Sequence, residues 1–175
     1  MRLMQIVLRE TDRLSNLVNN FLTFARPRAG QTQCVNLATA LTEIVTLFEK
    51  DSSINGRIKV DMTPGADAFI DIDPLQLRQV IWNLLLNGAE SIDDEGHIKI
   101  ALQNQKSDRI LVEIADDGCG MDEQTVEAIF NPFFTTKQAG AGTGLGLSVV
   151  HGAVKKHNGE VTVQSEPGYG TTFTI

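Results

Sequence analysis

Four short segments of this sequence hold residues whose types and spacing could do chemistry. Between Pro74 and Ile92, Gln79, Asn83, Asn87 and Glu90 recur at i, i+4, i+8 and i+11, so a helix there puts them on one face. Two Asn residues one turn apart can aim their side-chain oxygens at one point, and such oxygens, with phosphate oxygens and water, are a ligand set that Mg²⁺ accepts. On an exposed helix the same residues can equally be solvated and nothing more. Asp116-Asp117-Gly118-Cys119-Gly120 follows an apolar run directly, which sets a carboxylate at a strand end beside glycines that allow a tight turn and close approach of a ligand. That carboxylate can accept a hydrogen bond from an exocyclic amine such as adenine's, although an ordinary turn has the same composition. Gly140 to Leu147 leads into a helix through Lys155. Backbone N–H groups in such a turn, backed by a helix N-terminus, form a nest for anions without net positive charge, and a flexible linker is the competing reading. Lys137 is the only basic residue from Asp116 through Gly146, just after Phe130-Asn131-Pro132-Phe133-Phe134-Thr135-Thr136. Its ammonium can meet a terminal phosphate or face solvent.

The elements that must position these residues follow from periodicity and turn signals. Asp73-Pro74 with Gln76 is a helix start, in which Asp can cap, Pro suits the first turn and Gln stands at the capping-box position. Leu77, Val80, Ile81, Leu84, Leu85 and Ile92 supply that helix's buried stripe. Leu37 to Lys50 reads as an earlier helix, and Arg57–Met62 and Ala68–Asp71 as short strands around a Pro64-Gly65 turn. Strands are expected at His97–Asn104, Arg109–Ile114, Glu160–Ser165 and Thr171–Ile175, with one short helix near Glu123–Ile129. Their antiparallel neighbours predict a mixed sheet with helices on one face. At the N-terminus, Leu3, Val7, Leu14, Leu17, Phe21 and Phe24 follow the spacing of an amphipathic helix whose seam has no long helical neighbour in sequence, and Arg28 to Gln33 reads as a polar linker.

Composition narrows the choice further. A formal net charge of -7 argues against a nucleic-acid partner, since a phosphate backbone is gripped by clustered Lys and Arg. Any anion must be held locally. Cys34 and Cys119 show neither metal spacing nor a redox pair, which fits a reducing, cytosolic setting. No apolar run reaches the ~18 residues of a bilayer span. The glycine-rich turn lacks the Lys that follows the last Gly of GxxxxGK[ST], and it follows a long loop where a dinucleotide fingerprint opens a βα unit.

Taken in order, the Asn helix, Asp-Gly turn, Phe loop and Gly-rich turn resemble the ATP-binding domain of sensor histidine kinases, across about Asn36 to Ile175. The N box of that family is similar to Gln79–Ala89, the first glycine box to Asp116–Gly120, the F box to Phe130–Lys137 and the second glycine box to Gly142–Leu147. The resemblance implies an α+β, two-layer sandwich of the Bergerat type: a mixed, mostly antiparallel sheet with helices on one face, and a lid near Gln138–Gly142 over ATP. It assigns Asn87 as the magnesium ligand, Asn83 and Lys137 to the phosphates and transfer, and Asp116 to adenine. Gly118, Gly120, Phe133, Gly142, Thr143, Gly144, Leu145, Gly146 and Leu147 join them around the nucleotide. Wider relatives that hydrolyse ATP commonly carry a Glu at the position of Asn83; an amide cannot take a proton, which favours holding ATP for transfer.

The phosphoryl acceptor of that family is a histidine in an H box, and none of His97, His151 or His157 has that context. Phe21–Pro27 is similar to the end of the second dimerisation helix in kinases related to nitrogen-regulation sensors. The implied organisation is therefore a partial dimerisation hairpin at 1–27, a linker at 28–35 and the catalytic domain at 36–175. The implied partners are the missing acceptor helix, a second copy of the parent and a response-regulator receiver domain. The location would be cytoplasmic, with a parent that can be anchored in the inner membrane. Glu90 departs from the pattern, because many relatives place a basic residue there. Two other readings share the nucleotide fold: a serine protein kinase of the anti-sigma type, and a non-catalytic partner-binding module.

Overall fold

The computed structural model describes Met4 and residues 31–52, 54, 56–63, 65, 67–105, 109–137 and 142–175. The expected N-terminal helix, Met4 apart, and residues 138–141 of the expected lid lie outside the described residues. In chain order the elements are β1 (Gln33–Asn36), α1 (Leu37–Glu49), β2 (Ile58–Thr63), β3 (Phe69–Ile72), α2 (Pro74–Ser91), β4 (Gly96–Gln105), β5 (Arg109–Asp116), α3 (Glu123–Ala128), α4 (Gly146–Lys156), β6 (Thr162–Glu166) and β7 (Gly170–Thr174).

Five strands form the main sheet in the order β2-β4-β5-β7-β6, with β2 parallel to β4 and every other pair antiparallel. Along β4, Ile98, Ile100 and Leu102 are buried while His97, Lys99 and Gln103 are exposed, so the sheet is covered on one face and open to water on the other. The covering layer is made by α1, α2 and α4. Leu41, Phe48, Leu84, Leu85 and Val150 are buried in one core with the inward side chains of β4, β5 and β7, where Phe48 meets Trp82 edge-on at 5.5 Å.

Local sequence explains where the helices start. Asn36 caps α1, its side chain accepting from Ala38 N at 3.0 Å and Thr39 N at 3.4 Å. Asp73 caps α2, its Oδ1 accepting from Leu75 N at 2.9 Å with Pro74 in the first turn. Gln76 does not close the expected capping box; its Oε1 lies 3.1 Å from His157 Nε2 on the end of α4. The other end of α2 is closed from outside. The Arg57 guanidinium donates to Ala89 O at 2.6 Å and Ile92 O at 2.7 Å, meeting carbonyls that a helix C-terminus leaves unpaired.

The two strands expected around Pro64-Gly65 are present and go to different sheets: β2 runs beside β4, and β3 pairs antiparallel with β1 in a separate two-stranded sheet. Gly65 lies so close to β4 that a Cβ on it would stand 2.3 Å from Leu102 O. Residues 33–35, at the end of the expected linker, belong to β1 through that pairing.

Candidate nucleotide site

Helix α2 carries both amides to the start of α4. Asn83 Nδ2 donates to Gly146 O at 3.1 Å. A Cβ on Gly146 would stand 3.8 Å from Asn83 Cγ and 3.8 Å from Asn87 Nδ2, so the two side chains converge on one point. No side chain caps α4 at Leu145, which leaves the first-turn N–H groups to an external acceptor. Thr143 serves the turn instead, its Oγ1 accepting from Leu145 N at 3.2 Å, and Leu145 is buried beneath it. Gly146 and Leu147 lie in the first turn itself.

Asp116 ends β5 on the same side of the molecule as Asn87. A Cβ on Gly88, the next residue of α2, would stand 3.2 Å from Asp116 Cβ. Asp116 Oδ1 accepts from Ser91 Oγ and from Gly118 N, each at 3.0 Å. Burial pushes the Asp116 carboxyl above its usual range, against the opposing pull of those two hydrogen bonds. The glycines of this turn face protein: a Cβ would stand 1.9 Å from Ser91 Oγ at Gly118 and 2.0 Å from Glu166 O at Gly120. The close approach that they allow is that of α2 and the β6–β7 hairpin, which wedge Asp116 in place.

The Phe loop is interlocked with the second glycine turn. Phe133 N donates to Gly144 O at 2.8 Å, and a Cβ on Gly144 (φ 65°) would stand 2.4 Å from the Phe133 carbonyl carbon. Phe133 itself has φ 69°, a backbone that bulky residues rarely adopt, and its ring is 64% exposed. Phe130 is half-buried and stacks on His151 at 5.3 Å. Lys137 neither dangles in solvent nor stands alone: its ammonium pairs with the Glu90 carboxylate on α2. A Cβ on Gly142 would stand 3.2 Å from Lys137 Cδ and 2.6 Å from Thr135 Oγ1, so the glycine turn begins against the lysine stem.

Asn83, Asn87, Asp116, Lys137 and the Gly142–Leu147 turn thus come together, while the Phe133 ring points outward. Sequence reasoning missed Ser91, Arg57 and Gly170; a Cβ on Gly170 would meet Asp116 O at 2.0 Å. It also missed Gly88, for which a glycine inside a helical pattern was the available signal. The donor set fits a magnesium nucleotide: an uncapped helix N-terminus for phosphates, paired amides for a metal, one ammonium, and a half-buried acid for a base. Among the described residues no cluster of three His, Cys, Asp or Glu could hold a metal. A hollow of about 520 Å³ lined by Met121, Val126, Val163, Ser165 and Pro167 includes none of these groups.

A mixed sheet with this amide helix and these glycine turns defines a nucleotide-binding domain. Residues 72–175 match the family described as histidine kinase-, DNA gyrase B-, and HSP90-like ATPase, and the chain belongs to that family. Among its relatives, sensor histidine kinase ZraS of Klebsiella oxytoca is 36% identical over 170 residues, which cover 97% of this chain and 36% of that protein. The solved structure of full-length ShkA in complex with AMPPNP superposes with a TM-score of 0.82 at 27% identity, covering 99% of this chain and 37% of that one. That of histidine kinase ThkA in complex with response regulator TrrA gives 0.77 at 26% identity, covering 99% and 49%. The chain therefore spans only part of each of these proteins. These matches give no support to the serine-kinase reading.

Proposed function

We propose that this chain is the ATP-binding catalytic part of a sensor histidine kinase, similar to the nitrogen-regulation type. It holds Mg-ATP and presents the γ-phosphate to a histidine on a dimerisation helix of the parent protein, for later transfer to an aspartate of a response-regulator receiver domain. The observation that carries this reading is the convergence of Asn83 and Asn87 on the uncapped start of α4, with Asp116 on the same side. Support also comes from the neighbours, since ShkA was solved with an ATP analogue and ThkA with a response regulator.

Phosphoryl transfer between oxygen and nitrogen nucleophiles is governed by positioning and charge neutralisation, and this chain supplies both. The α4 amides and the Gly142–Leu147 turn orient the phosphates. Asp116 accepts from the adenine amine and fixes the other end. Mg²⁺, when bound through Asn87, neutralises charge on the phosphate oxygens. Asn83 is held by Gly146 O and, as an amide, offers no base at its position, which favours holding ATP for transfer. The three histidines of this chain are otherwise engaged: His97 with Asp117 at 3.4 Å, His151 with Phe130, His157 with Gln76. An acceptor on a separate helix fits that arrangement.

The test mixes this chain with a dimerisation domain that carries an H box and supplies γ-phosphate-labelled ATP. Acid-labile, base-stable label on that domain is expected. Acid-stable label on a serine would favour the anti-sigma type of kinase, and no ATP binding by calorimetry in millimolar Mg²⁺ would favour a non-catalytic module.

A further inference from the structure

From the Glu90–Lys137 ion pair we infer that Glu90 is a positioning residue for Mg-ATP: it holds the Lys137 ammonium at the phosphate end of the site, where the terminal phosphate joins the pair. The inference rests on the nucleotide reading above. As a contact for stability the pair counts for little, because its side chains are 32% and 39% exposed. Its placement is what matters. Glu90 follows Asn87 by three residues on α2, so the two Cβ atoms are roughly 5–6 Å apart on one face. Lys137 comes from a loop 47 residues away, and its stem lies against the first residue of the second glycine turn, where a Cβ on Gly142 would stand 3.2 Å from Lys137 Cδ.

A lysine on a loop has four rotatable bonds to fix before its charge is useful. Here the carboxylate fixes them in advance, and an ammonium with three donors can bond a carboxylate and a phosphate oxygen together. Glu90 alone, one turn from a metal ligand, would repel a triphosphate. Paired with Lys137 it presents a neutral unit on which the lysine's remaining donors are free to turn. The arrangement therefore predicts coupling: each partner matters because of the other, and mainly for a nucleotide long enough to reach them.

Affinities of the whole chain for Mg-ATP and Mg-ADP, measured by calorimetry, test this. Glu90→Gln should weaken Mg-ATP about fivefold, with Mg-ADP changed less than about twofold, and Glu90→Asp should recover part of the loss. Lys137→Met should weaken Mg-ATP about tenfold or more, because it also leaves Glu90 unpaired, and adding Glu90→Gln to it should restore part of the binding. The inference is overturned if Glu90→Gln binds Mg-ATP as tightly as wild type or more tightly, if ATP and ADP weaken equally, or if the two substitutions add independently. Failure of the wild-type chain to bind either nucleotide would overturn the nucleotide reading itself, and this inference with it.

Discussion

Asn87 offers a neutral amide and Asp116 an acid, so removing either should leave a different trace on binding. If Asn87 holds the metal as proposed, Asn87→Ala should weaken Mg-ATP by about tenfold or more while changing metal-free nucleotide by less than about twofold. Equal losses would remove Asn87 from the metal. Asp116 gives a prediction in protons. Burial raises the pKa of its carboxyl, so the folded protein holds that proton more tightly than the unfolded chain does. That contribution to stability is present below the unfolded-state pKa and is lost as pH rises through the raised folded value. An adenine amine bound at Asp116 as proposed would donate to the carboxylate form, so binding should pull the pKa back down and release a proton in that window. Affinity should rise as pH climbs through it and level off above. Calorimetry in buffers of different ionisation enthalpy reads the release directly, and Asp116→Asn, with no proton to give up there, supplies the reference. A wild-type signal matching that of the variant would take Asp116 away from the base.

At the scale of elements, the site depends on ends: the start of α4, the finish of α2, and the clasp between the Phe loop and the second glycine turn. Arg57 closes α2 just where Ser91 steadies Asp116. Arg57→Ala should therefore cost about 1–2 kcal/mol in chemical denaturation and also weaken ATP and ADP alike; a loss of stability with binding untouched would confine Arg57 to the fold. Gly144→Ala faces both a positive φ and the Phe133 backbone, and should cost about 1–3 kcal/mol and loosen phosphate binding with it. How much of this was legible in the sequence follows from the range of each interaction. The helices were readable because caps such as Asp73 and the stripe of Leu77, Val80, Ile81, Leu84 and Leu85 are local signals. The strands around Pro64-Gly65 were readable as strands but not their partners, because a turn signal says that the chain bends, not which strand it will meet; β2 found β4 and β3 found β1. The four motifs of the site were readable by type and order. Ser91 and Gly170 were not, since their meaning lies in contacts with Asp116 from distant segments, and the Glu90–Lys137 pair was hidden for the same reason.

For the molecule as a whole, the two glycine turns belong to different layers of support. The first is wedged between α2 and the β6–β7 hairpin, and the second is clasped to the Phe loop at the start of α4. A nucleotide lying with its base at Asp116 and its phosphates at α4 would tie these supports together, and anything that binds only the folded form adds its binding free energy to stability. At a concentration of one hundred times Kd that addition is about 2.7 kcal/mol, which for a domain of this size raises the midpoint of thermal unfolding on the order of 10 °C. Mg-ATP should give that shift. Asp116→Ala, which detaches the base end, should lose most of it for ATP and ADP alike, whereas Asn87→Ala should lose it chiefly for the magnesium complexes. If the nucleotide engaged only one turn, one of these two variants would keep the full shift, and that result would separate a phosphate-binding surface from a site that grips both ends of ATP.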